Sequence, residues 1–123
     1  MTNIAWAIAI LIAVLALHLF EEIKTDFRRR FPLGKMSRPL FVGANVSVYL
    51  FSFLTLVLAV FKNHLAVPLA WVFAIAMLFN GIVHIVIMMV RKAYFPGGVT
   101  AFLLIPCSAN LIFWLIIEFR KLN

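Results

Sequence analysis

ALHLFEEIKTDFRRRF, residues 16–31, ends the first long apolar stretch of this chain and runs directly into a basic segment. An uninterrupted hydrocarbon run that stops at charge reads as a helix leaving a bilayer. His18 sits inside the apolar run, and Glu21 and Glu22 sit at its edge. Three similar stretches follow. The apolar segments span about residues 4–20, 39–61, 66–90 and 99–119. Each is close to the ~20 residues that cross a bilayer as a helix. In lipid the backbone must satisfy its own hydrogen bonds, so the expected fold class is all-α, a four-helix transmembrane bundle forming one domain over residues 1–123. Pro39 and Pro68 fall near the starts of the second and third stretches, where proline suits a first turn.

Composition agrees. Of 123 residues, 66% are hydrophobic and 12% are charged, too apolar for a water-soluble domain of this size. The net charge of +7 does not imply nucleic acid, because the cations lie between apolar stretches, where they orient helices, and no nucleic-acid-binding motif is present. The lone Cys107 allows no intrachain disulfide. The first stretch has no Lys or Arg before it and no clean small-x-small site after it, so it reads as a retained helix rather than a signal peptide.

The first and third loops carry Lys24, Arg28, Arg29, Arg30, Lys35, Arg38, Arg91 and Lys92, eight of the eleven basic residues. The opposite side carries Lys62, Arg120 and Lys121. That asymmetry predicts those two loops in the cytoplasm and both termini outside. Small residues at i,i+4 spacing, Gly43 with Ser47 and Ala70 with Ala74, read as ordinary helix packing.

The polar residues collect at one depth. At ~1.5 Å per residue, His84 lies about 10 Å inside the boundary marked by Arg91, and Asn45 about 10 Å inside that marked by Arg38. Asn80 is one turn deeper, and Thr100, Ser108 and Asn110 line the start of the fourth stretch. Pro106 there should leave the Phe102 carbonyl without its helical partner. His18 and Glu22 share a helix face, as do Asn80 and His84, and Asp26 would continue the first face if that helix ran on. His64 is on the other side and cannot join them. Tyr94 with Pro96, Gly97 and Gly98 reads as a tight interfacial turn able to lid the site.

Ionisable groups in lipid are costly and point to function. Two histidines and a carboxylate with an open position suit one divalent metal ion, zinc or iron, with His18, His84 and one of Glu21 or Glu22, Glu22 foremost, as ligands. His18, Glu21, Glu22 and His84 are the candidate catalytic residues, and the glutamate that is not a ligand would serve as base or outer-sphere partner. Without a metal, a glutamate could donate a proton while His84 accepts one. Asn45, Asn80, Tyr94 and Arg28 are candidate substrate-binding residues. Arg28 to Arg30 set topology or hold an anionic head group. The expected function is a membrane-embedded enzyme acting on a lipophilic small molecule from the bilayer, a hydrolase, isomerase or metal-dependent oxidoreductase. Two alternatives stand beside it. One is a proton-coupled exporter, although the glutamates lie too near one surface for access from both sides. The other is a non-catalytic assembly subunit. A homo-oligomer is compatible with any of the three.

HLFEE, residues 18–22, matches the signature of the HXXEE-domain proteins, and NGIVHIVIMMVRKAYFPGG, residues 80–98, resembles that family's second block. The resemblance covers most of the chain. It implies a small integral membrane protein, in a bacterial inner membrane, of poorly known function and suspected to be enzymatic. Position by position it points to His18, Glu21, Glu22 and His84.

Overall fold

The computed structural model describes residues 1–32 and 34–121. It has four long helices, α1 (Thr2–Lys24), α3 (Arg38–Val60), α4 (Ala66–Arg91) and α5 (Gly98–Arg120), and one short helix, α2 (Phe27–Arg30), in the first basic loop. At 23 to 26 residues each, the long helices run about 35–39 Å, enough to cross a hydrocarbon core of about 30 Å. Their outward faces are covered with large apolar side chains, among them Trp6, Phe20, Leu50, Phe53, Phe79 and Phe113. A continuous coat of that kind is compatible with lipid as solvent and not with water. The protein is an all-α integral membrane protein, as expected.

Local chemistry sets the helix ends. The Ser37 hydroxyl accepts from the Leu40 amide at 3.3 Å, and Pro39 follows in the first turn of α3. Lys92, in the left-handed region, terminates α4, and Gly97 at φ +82° starts α5. α1 outruns its apolar stretch by four residues, to Lys24, which makes Glu21 and Glu22 helical. Asp26 then adopts φ +62° and turns the chain away. It pairs with Arg29 at 3.2 Å instead of extending the His18–Glu22 face. α5 runs through Pro106 without a break.

Around the bundle, α1 neighbours α3 and α5, and α4 neighbours the same two helices, so α1 and α4 face each other across the centre. Ile4, Ile8, Leu11 and Leu15 form the buried stripe of α1. α4 and α5 approach closely at Gly81. A Cβ there would lie 2.9 Å from Ile105 Cγ1 and 3.3 Å from the Ala101 carbonyl oxygen. Such close approach is how helices associate where lipid removes the hydrophobic drive. Ala70 and Ala74 are fully buried, as the spacing predicts. Gly43 and Ser47 are not. Both are exposed, and no side chain lies within 4 Å of the Gly43 position. The buried residues of α3, Ser52, Thr55 and Ala59, all belong to its second half. Its first half meets the bundle through partly buried side chains such as Phe41, Val48 and Tyr49.

Candidate functional site

The two loops that carry most of the cations lie at one end of the bundle, and the polar groups gather just inside that end. His18 from α1 and His84 from α4 meet at the bundle centre, 1% and 3% exposed, with ring centroids 4.7 Å apart and ring planes 81° apart. Glu22, one turn beyond His18, points between them. Its Oε1 is 3.5 Å from His18 Nε2 and 3.4 Å from His84 Nε2. One ligand atom from each of the three residues lies within 4.8 Å of the others, so this buried group could hold a metal ion.

The far side of each imidazole is fixed. His84 Nδ1 is 2.7 Å from the Pro96 carbonyl oxygen, which can only accept, so this nitrogen carries a proton. His18 Nδ1 is 2.8 Å from Thr100 Oγ1. The single Thr100 hydroxyl proton goes to Glu21 Oε2 at 2.6 Å, with the Gly97 carbonyl oxygen a weaker choice at 3.3 Å. Thr100 therefore accepts from His18 Nδ1–H. In their neutral forms both rings hold their Nε2 lone pairs toward Glu22. Asn80 agrees with this tautomer, since its amide nitrogen lies 3.4 Å from His18 Nε2.

The two glutamates have separated roles. Glu21, rotated about 100° from Glu22 on the helix, turns to the start of α5. It accepts from the Val99 amide at 3.1 Å, the Thr100 amide at 2.8 Å, the Thr100 hydroxyl and the Tyr94 hydroxyl. A carboxylate on exposed helix N–H groups satisfies orphan donors and complements the helix dipole. Partial burial, and after it the hydrogen bond to Glu21, push the Tyr94 phenol above its ordinary range, so it stays a donor.

Gly97 allows this geometry. A Cβ at that position would lie 2.7 Å from Cε1 of both His18 and His84 and 2.8 Å from His84 Nδ1. Only a bare backbone fits so close to two rings, and φ +82° favours glycine independently. Over the other face of His84, Phe27 of α2 stacks at 5.6 Å and also meets Phe31, Phe41 and Phe95. Beside this aromatic cover lies a cavity of about 300 Å³ bordered by Glu22, Asp26, Phe27, Arg28, Arg38 and Phe41.

The expected residues sort themselves by position. His18, Glu22, His84 and Asn80 come together at the centre, and Tyr94 and Glu21 form the adjoining clasp. Arg28 borders the cavity and donates to the Met36 carbonyl at 3.3 Å. Asn45 lies apart, half-buried between α1 and α3, with its amide given to the Phe41 carbonyl of its own helix. Ser108 is buried, whereas Asn110 is exposed on the lipid-facing side of α5, so neither joins the centre. His64 is exposed on the far loop. The Pro96 carbonyl and the Phe27 cover were not anticipated, because a backbone acceptor and a loop aromatic leave no trace in residue type or spacing.

No curated protein and no solved structure matches the chain. The HXXEE motif is carried by residues 18–22, whose His and second Glu enter the buried group while the first Glu anchors it to α5. The family described as proteins of unknown function with an HXXEE motif matches residues 9–111, most of the chain's length, and this chain belongs to that family.

Proposed function

We propose that the protein is a membrane-embedded enzyme that acts on a lipophilic small molecule, with His18, Glu22 and His84 holding one divalent ion, zinc or non-haem iron. The observation that carries this reading is the convergence of two imidazole Nε2 atoms on one carboxylate oxygen, with both Nδ1 atoms engaged elsewhere. Three lone pairs that face each other repel unless a positive charge lies among them. The spacing is informative. A charge-assisted N–H···O contact closes to about 2.7–2.9 Å. Ligand atoms on a tetrahedral ion at ~2.0–2.2 Å stand about 3.4 Å apart. The two Glu22 contacts, at 3.4 and 3.5 Å, match the second figure.

Three protein ligands are the pattern of a catalytic site, which keeps a position for substrate or water. A bound ion would supply Lewis acidity toward an oxygen of the substrate. The chain's own residues do the rest. Thr100, backed by Glu21, holds the His18 ring and its tautomer, and the Pro96 carbonyl does the same for His84. Phe27 and Phe95 keep water off the His84 side, while the cavity at Glu22 leaves an approach for substrate. The basic loops favour a site on the cytoplasmic side, with both termini outside.

Elemental analysis of protein purified from metal-replete cells tests the centre. The expected result is close to one zinc or iron per chain, falling to background in His18→Ala and His84→Ala while helix content is retained. Wild-type protein that takes up neither ion would overturn the metal reading. For catalysis, proteoliposomes would be incubated with a total lipid extract. The enzyme reading requires a mass-resolved product that wild type forms and Glu22→Gln does not. If no product forms, or if both proteins form it equally, the reading is wrong.

A further inference from the structure

We propose that the groove between α1 and the first half of α3 binds a bilayer lipid with an anionic phosphomonoester head, its head at Arg28 and Arg38 beside Glu22 and one chain running toward Phe53. This names the substrate class of the centre above and rests on that reading. Two hollows adjoin here. The first is the cavity of about 300 Å³ bordered by Arg28, Arg38 and Glu22. The second, about 490 Å³, continues it along Leu19, Val46, Tyr49, Leu50 and Phe53. Ile23, Phe41 and Val42 line both, so the two lie side by side along the same face of α1 and α3. Each volume falls within the ~300–1,000 Å³ of ligand sites. No residue of α3 before Ser52 is buried, which leaves this side of the helix open along the path.

The chemistry along the path changes once, from charged to apolar. From Phe41 to Phe53 the helix rises about 18 Å, close to the hydrocarbon depth of one leaflet. Asn45 breaks the apolar wall in sequence but directs its amide to the Phe41 carbonyl, 2.9 Å away. At the head end, Arg28 donates to one backbone carbonyl and retains further N–H donors. Among the described residues, neither Arg28 nor Arg38 has a carboxylate within ion-pair distance. Two carboxylates also border this chamber, and each is engaged. Asp26 pairs with Arg29 at 3.2 Å, and Glu22 faces the two imidazoles. The uncommitted charge at the mouth is therefore cationic, and guanidinium forks suit a phosphate. An anionic head placed there adjoins Glu22, with its chain still in the membrane.

Binding can be read without turnover. Chelator-treated protein in phosphatidylcholine nanodiscs would be titrated with 1-oleoyl lysophosphatidic acid and, separately, with 1-oleoyl lysophosphatidylcholine. The anionic phosphomonoester should bind in preference to the zwitterionic choline lipid, and Arg28→Gln with Arg38→Gln should weaken it roughly 10–100-fold, as lost charged hydrogen bonds do. Val46→Trp, at a half-exposed position where folding is not at stake, should weaken it by obstructing the chain path. Equal affinity for the two lipids, displacement by millimolar inorganic phosphate, or wild-type binding by Val46→Trp would each overturn the proposal. Metal content of the same variants, measured before chelation, reports on the centre separately. Lipid binding that follows this pattern in a protein that never takes up metal would leave the groove standing and remove the metal reading.

Discussion

Gly97→Ala tests how the centre is assembled, because one added methyl group meets both histidines. From its position the new Cβ would lie 2.7 Å from His18 Cε1 and from His84 Cε1, nearly an ångström inside ordinary carbon–carbon contact. Neither ring can swing away freely. His18 Nδ1 is tied to Thr100, His84 Nδ1 to the Pro96 carbonyl, and Phe27 stacks over His84. Two costs add. A side chain in the left-handed region costs roughly 1–2 kcal/mol. Overpacking a tight site costs about 1–3 kcal/mol more. The expected loss of unfolding free energy is about 2–5 kcal/mol, which a protein stable by ~5–15 kcal/mol survives. The rings relieve the clash by separating, so metal affinity should fall at least ~10-fold, as it does when groups that orient ligands are disturbed. Chelator competition and denaturant unfolding in detergent measure the two effects. Gly98→Ala is the control. Its Cβ would overlap the flexible Met88 side chain, which can move aside, at a helical position without positive φ, so metal affinity should be retained. A Gly97→Ala protein with wild-type affinity and wild-type stability would refute the reasoning.

Other expectations follow from the same geometry. Thr100→Val removes the acceptor for His18 Nδ1–H and the hydroxyl's bond to Glu21, while the backbone amides still hold Glu21; metal affinity should drop ~10–100-fold and Thr100→Ser should restore it, measured by the same competition assay. Gly81→Ala places a methyl 2.9 Å from Ile105 Cγ1; unfolding in denaturant should become easier by about 1–3 kcal/mol. For orientation, a cysteine at Asn63 should react with an impermeant thiol reagent on intact cells and one at Lys35 should not, and the reverse pattern would invert the assignment.

Much of this molecule is a one-dimensional property of its chain. Apolar run length and flanking charge located all four long helices to within one to four residues, because a bilayer imposes both length and polarity on whatever crosses it. The i,i+4 spacing of His18 and Glu22, together with the depth of His84, brought these three side chains to a common level. What those patterns do not contain is rotation about each helix axis and the tilt of one helix against the next. These depend on packing between segments far apart in sequence. Glu21 and Glu22 are chemically identical neighbours, and only the position of the α5 N-terminus makes one an anchor and the other a centre group. Asp26 fitted the face of α1 by count but left it when the helix ended at Lys24. Gly43 and Ser47 carried a packing pattern equal to that of Ala70 and Ala74, yet they face outward because α3 buries only residues of its second half. No residue along the groove beside Glu22 announces it, since a lipid-facing wall and a groove wall are built from the same apolar side chains.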